Sequence, residues 1–223
     1  MSIKINYKNS GLKKPQNNLV LFVDEKFNIK PLNKFISSSE YSYIEDLLKS
    51  SDLDKKLFVF ELNSKKNVIL VSLKKNLKTS DIENLGAELF GRINYGKGKE
   101  YFISSDNITG NYSNFLGHFL HGLKLKSYEF DKYKTKKENR LILINVFGNK
   151  NKISNKDQLK FKALEDGTFY TRDLVSEPGN ILHPDEYVKR INSLKKLGLK
   201  INIYDKKKLK KLGMNALLGV GQG

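Results

Sequence analysis

The chain has 223 residues, 39% of them hydrophobic, enough for one large domain or for one domain and part of another, and enough to bury a core. It has no cysteine, which excludes disulfides, thiolate metal sites and a cysteine nucleophile. The net charge of +17 raises a polyanion-binding reading, but only four of the 41 basic residues are arginine and the lysines are spread along the whole chain, the pattern of a solvated surface.

Taken in order, Ser2–Tyr7 alternates Ile3, Ile5 and Tyr7 and predicts an edge strand. Asn9–Asn18 is a polar loop, and Leu19–Val23 is a continuous apolar strand. Phe27–Pro31 extends as a hairpin. Ser37–Ser39 leads into a helix to Lys49, with Tyr43, Ile44, Leu47 and Leu48 at helical spacing. Leu57–Leu62 and Val68–Leu73 are strands joined by a turn. Ser80 with Glu83 forms a capping box for a helix whose stripe is Ile82, Leu85, Leu89, Phe90 and Ile93. Gly96-Lys97-Gly98 follows that helix and reads as its stop. A phosphate loop would need the glycines between a strand and the start of a helix.

Glu100–Ser104 is a strand, and Asn111–Leu123 is a helix with Phe115, Leu116, Phe119, Leu120 and Leu123 inward. Tyr128–Lys137 (YEFDKYKTKK) mixes aromatics and lysines, with Phe130 and Tyr133 read as packing. Arg140–Phe147 is a strand. Ser154 with Asp157 caps a long helix from Asn155 to Val175, in which Gly167 marks a bend. Pro178-Gly179 breaks it, because proline lacks the N–H and glycine permits positive φ. Pro184 opens a further helix with Asp185 and Glu186 at its positive end. Leu197-Gly198 closes it. Leu199–Tyr204 alternates as a strand. Asp205 caps Lys206–Leu212, and Ala216–Val220 suits a buried parallel strand.

No run approaches the ~18 apolar residues that a membrane helix needs. The N-terminus has no apolar signal region, so the cytoplasm is the expected compartment. Candidate chemistry is sparse. His118 and His121 lie three apart on one helix face without an adjacent glutamate and are read as rings packed on Phe115 and Phe119. His183 is a loop residue. Ser176-Glu177 and Asp185-Glu186 are read as helix caps and dipole partners.

Three stretches carry a resemblance. Tyr128–Lys137, Thr171–Pro184 (TRDLVSEPGNILHP) and Leu212–Gly223 (LGMNALLGVGQG) are similar, in order and separation, to the leucyl aminopeptidase (cytosol aminopeptidase) family. The resemblance implies an α/β fold: a mixed sheet flanked by helices in an N-terminal domain, then a linking helix and an incomplete α/β catalytic domain. The expected divisions are 1–152, 153–175 and 176–223. It implies a parent exopeptidase that releases N-terminal residues from peptide substrates, uses two divalent metals (Mn or Zn), is cytoplasmic and assembles as a homo-hexamer. The family's metal-binding and catalytic motifs follow the GVGQG segment. Lys97 is not followed by the family's text and is not carried over, so no catalytic, cofactor-binding or metal residue is assigned. The resemblance therefore implies the N-terminal portion of the enzyme, without peptidase activity of its own. The alternative is a stand-alone basic α/β module binding nucleic acid, weakly and by charge, or a nucleotide.

Overall fold

In a computed structural model, residues 2–8, 17–95, 99–110, 112–136 and 140–222 are described. The chain divides into two compact units, Met1–Phe169 and Tyr170–Gly223. The loop read at 9–18 lies mostly outside the described residues, as does Gly96-Lys97-Gly98.

The first unit is built on a six-stranded sheet. Its strands are β1 (Ser2–Lys8), β2 (Asn18–Asp24), β3 (Leu57–Glu61), β4 (Asn67–Leu73), β5 (Glu100–Ser104) and β6 (Leu141–Phe147). Their order is β1-β6-β5-β2-β4-β3. All neighbours are parallel except β3, which pairs antiparallel with β4 through a short turn. The expected mixed sheet is thus present, and β1 lies at its edge.

Strand alternation explains the two layers of core. Val20 and Phe22 of β2 face one side of the sheet, while Leu19, Leu21 and Val23 face the other. The first side is covered by helices α2 (Thr79–Ile93) and α3 (Phe115–Lys126), whose Leu89 and Phe119 are fully buried. Phe22 meets Phe115 and Phe119 edge-on, both with ring centroids 5.2 Å apart. The second side is covered by helix α1 (Ser38–Lys49) through Ile44 and Leu48, together with Leu32 from a 3₁₀ turn.

That turn, Lys30–Lys34, corrects the hairpin expected at Phe27–Pro31. Phe27 takes a left-handed φ of 52°, and its N–H bonds back to Asp24 O, so the chain reverses immediately after β2. The helix expected from Asn111 begins only at Phe115, because Asn114 is left-handed (φ 51°) and holds the preceding residues out of the helix. The capping box expected at Ser80 and Glu83 is not formed: α2 starts after Lys78, whose backbone N–H donates to Asp81 Oδ2 at 3.0 Å, and Glu83 is used elsewhere. The Asp81 carboxylate alone satisfies the orphan N–H at this helix start, so α2 begins ahead of Ser80.

Helix α1 carries a capping box not singled out from the sequence. Ser37 Oγ accepts from Glu40 N–H at 3.3 Å, and Glu40 Oε2 accepts from Ser37 N–H at 2.8 Å. Glu40 also pairs with Lys66 in the β3–β4 turn. Burial by itself pushes the Glu40 carboxyl up, but the Lys66 ammonium and the Ser37 donors outweigh it and hold the group below the usual carboxylate range. A folded-state value below the unfolded one means that the pair stabilises above the ordinary carboxylate range, and that this contribution fades as pH falls through the depressed value. The melting temperature of Lys66→Met should therefore lie below that of the parent at pH 7, and the gap should shrink as pH falls below the ordinary carboxylate range. A gap that stays constant across that range would rule out the linkage.

Helix α4 (Asn155–Ser176) continues through Gly167. Its cap is the predicted one, with Asp157 N–H donating to Ser154 Oγ at 3.0 Å. Tyr128–Lys136 forms turns in which Phe130 packs on Tyr133 with centroids 5.8 Å apart, as read from the sequence, and Tyr128 packs on Phe169.

In the second unit, α5 (Pro184–Ser193) starts at the expected proline, and a 3₁₀ turn (Leu194–Leu197) ends at left-handed Gly198. In α6 (Lys206–Lys211), Asp205 Oδ1 accepts from Lys208 N–H at 2.8 Å. The two strands expected here are not formed. Residues 199–204 make no ladder, and Ala216–Val220 lies within a helical segment, α7 (Asn215–Val220). A strand needs a neighbour for its N–H and C=O groups, and this unit has no other strand among the described residues. The apolar run satisfies its backbone locally, as in Leu218 N–H to Met214 O at 3.2 Å, and Ala216, Leu217 and Leu218 are good helix formers. Val175, Leu197, Leu217 and Val220 remain at least half exposed.

Candidate functional site

Several titratable side chains of the first unit lie close together on β1, α2, α3 and α4. His118 and His121 lie on one face of α3, as their spacing requires. His118 Nδ1 is 3.0 Å from Glu83 Oε1 on α2, and His121 Nδ1 is 3.3 Å from Glu165 Oε1 on α4. Both imidazoles pack on Phe161 of α4, with centroid distances of 5.1 and 5.2 Å. The rings are thus core-packed, but on Phe161 and not on Phe115 and Phe119. Each also has a glutamate, supplied by another helix. The partners lie 35 and 44 residues away, which no local spacing could reveal.

Around His121 and Glu165 sit two further groups that the sequence did not single out. Lys124 Nζ donates to the carbonyl of Ile3 at 2.6 Å. Burial draws its pKa below the ordinary lysine value, against the opposing pull of Glu165. The Tyr7 hydroxyl is pushed up to about 12, first by burial and then by the nearby Glu165 charge.

In the second unit, one glutamate of each acid pair is drawn to Arg190. Glu177, whose side chain is 1% exposed, binds Arg190 Nη1 through Oε1 at 2.8 Å. Arg190 Nε reaches Glu186 Oε1 at 3.2 Å on the same helix. Ser176 ends α4, and His183 is the residue before α5. The arginine joins the loop after α4 to α5, so Glu177 and Glu186 are charge-paired. Among the described residues, no group of three or more His, Asp or Glu is placed to hold a metal. None of their helices is long and apolar enough to cross a membrane.

This geometry is an α/β domain with histidine–carboxylate clamps, continuing through a long helix into a second unit in which Glu177 and Glu186 are charge-paired. Comparison with known proteins identifies both parts. Residues 20–137 match the model of the cytosol aminopeptidase family, N-terminal domain, and residues 169–223 match that family's catalytic domain. The architecture is that of an aminopeptidase N-terminal domain followed by an aminopeptidase catalytic segment. The chain belongs to the cytosol aminopeptidase family.

Among its curated relatives, a probable cytosol aminopeptidase of Bradyrhizobium sp. is 35% identical over 158 residues, covering 66% of this chain and 30% of that protein. One of Phytoplasma mali is 45% identical over 111 residues, 47% of this chain and 22% of the relative. The chain thus spans about a third or less of the length of these relatives. Among solved structures, a mutant of tomato leucine aminopeptidase superposes with a TM-score of 0.72 at 15% identity, over 95% of this chain and 46% of that one. The bottromycin maturation enzyme BotP in complex with Mn gives a TM-score of 0.62 at 14% identity, over 88% of this chain and 40% of that one. At such identities the likeness is one of fold.

Proposed function

We propose that these residues serve as the N-terminal portion of a cytosolic leucyl aminopeptidase, an exopeptidase that removes N-terminal residues from peptides. The observation that carries this reading is the order of the two family matches, 20–137 and then 169–223, on one continuous chain. The whole enzyme would use two divalent metals, manganese or zinc, in the cytoplasm and as a homo-hexamer. Two metals at one centre supply Lewis acidity and a nucleophilic water.

The described residues do not fit the binding of those metals. Each α3 histidine is matched with one carboxylate, and no set of three ligands converges. The role that suits this portion is to fold, to present the long α4 helix and to position the catalytic segment that follows it in sequence. Our proposed division is an N-terminal domain at 1–152, a linking helix at 153–175 and a catalytic segment at 176–223. The alternative of a stand-alone polyanion-binding module has only the net charge in its favour.

The 223 residues alone are expected to show no turnover of leucine p-nitroanilide with Mn²⁺ above a chelator-treated control. Metal-dependent hydrolysis by the purified chain would refute the assignment of the chemistry to residues outside it.

A further inference from the structure

Among the described residues every lysine is exposed except Lys66 and Lys124. Lys66 is matched by the Glu40 carboxylate. Lys124 is held differently. Its Nζ donates to the carbonyl of Ile3 at 2.6 Å, and no carboxylate of the described residues lies within ion-pair distance of it. A carboxylate partner keeps an amine in its protonated form, whereas a carbonyl accepts a hydrogen bond from an ammonium and from a neutral amine alike. Lys124 is therefore the shielded lysine that can give up its proton, and burial acts in the same direction.

This amine lines a cavity of about 610 Å³ that lies wholly within the first unit, with walls from β1, α3 and α4. Ile3, Leu120, Leu159 and Phe169 make its walls apolar, and Leu159 is 69% exposed, so the cavity is open to solvent there. The other titratable groups around it are already matched to one another. His121 meets Glu165 at 3.3 Å, and Lys162 meets Asp166 at 2.8 Å. Tyr7, from β1, is a neutral hydroxyl. The cavity thus asks no charge of a ligand and offers one unmatched amine beside hydrocarbon.

We propose that Lys124 takes a neutral, apolar aldehyde as a reversible imine, with the hydrocarbon body of the aldehyde seated against Ile3, Leu120, Leu159 and Phe169. The ammonium first releases a proton. The neutral amine then adds to the carbonyl carbon, forming the C–N bond of a carbinolamine. A proton returns as the hydroxyl leaves as water and the C=N bond forms. The sum is ammonium plus aldehyde giving protonated imine plus water, with no change of oxidation state, and hydrolysis reverses it. The protonated imine keeps one N–H for the Ile3 carbonyl, and its positive charge stays where Glu165 and Asp166 favour it. The apolar wall shields the C=N bond from the water that would hydrolyse it. The inference concerns the first unit only and does not rest on the peptidase reading.

The test is reductive labelling of the 223-residue chain at pH 7 with sub-stoichiometric hexanal and cyanoborohydride. The hydride fixes each imine as a secondary amine, which mass spectrometry then assigns to a lysine. Lys124 is expected to be labelled about tenfold faster than the exposed Lys160 and Lys162 of α4. With acetaldehyde, four carbons shorter, that preference should shrink to about twofold, because the burial of even one methylene counts for about fourfold. Leu159→Gln, at an exposed position, should bring the hexanal preference down to the acetaldehyde level and leave acetaldehyde labelling and the far-ultraviolet dichroism unchanged. Labelling of Lys124 no faster than that of Lys160 and Lys162 would overturn the proposal. So would an equal preference with the two aldehydes, or a hexanal preference untouched by Leu159→Gln, since the cavity would then not be seating the hydrocarbon.

Discussion

Replacing Gly122 with alanine is expected to destabilise the first unit by about 3 kcal/mol, at the upper end for forced overpacking. A Cβ built there would stand 1.9 Å from the carbonyl oxygen of Glu83. One at Gly86, on the facing helix, would stand 1.8 Å from the carbonyl oxygen of Phe119. The obstacle in each case is backbone, which cannot rotate aside as a side chain can. The two glycines thus let α2 and α3 touch main chain to main chain, and any added carbon must force the helices apart. Gly91 is the internal control. It lies inside α2 with nothing within 4 Å of its virtual Cβ, so alanine there should stabilise by roughly 0.5–1 kcal/mol through helix propensity. Urea unfolding of the three variants separates the effects. If Gly122→Ala and Gly91→Ala move the midpoint in the same direction, the close-approach account is wrong.

Removing the Phe161 ring should cost about 3–4 kcal/mol, the range for large-to-small changes at a buried aromatic. This residue is 7% exposed and meets both α3 imidazoles. It also fills the space above Gly117, where a Cβ would lie 2.3 Å from its ring. Phe161→Ala should therefore loosen the first half of α4 from α3 and weaken the His121–Glu165 contact. Hydrogen exchange is expected to accelerate at amides 157–169 more than in β2 or β4. Uniform acceleration across the sheet would show that Phe161 acts on global stability only. Phe161→Leu, which keeps most of the volume, should recover more than half of the loss.

Much of this architecture could be read from residue order. Continuous apolar runs in β2, β4 and β6 mark buried strands, because such strands need no polar face. Ser154 with Asp157 marks the start of α4, and Pro178-Gly179 marks its end. These signals act within a few residues, where local sterics and hydrogen bonding decide the outcome. The family text from Thr171 to Pro184 and from Leu212 onward was legible for the same reason, since it is a contiguous string.

The errors have a common physical origin. Ala216–Val220 has the composition of a buried strand, but a strand exists only with a partner, and the run settles into a helical turn instead. His118 and His121 were visible as a pair on one face, whereas their glutamates come from α2 and α4. Lys124 and Tyr7 gave no signal at all, because an ordinary lysine and an ordinary tyrosine become unusual only when burial and the Glu165 charge reach them.

The sequence alone therefore determined the six strands and most helix positions of the first unit, the Ser154 cap of α4, and the family to which the chain belongs. These follow from local backbone preference, from the period of apolar residues and from contiguous text. Only the tertiary structure decided which carboxylate meets which histidine, that α2 and α3 meet at two glycines, and that Lys124 stands on an apolar cavity with a carbonyl as its partner. Each of these depends on residues tens of positions apart, and the packing of the sheet against its helices is what brings them together.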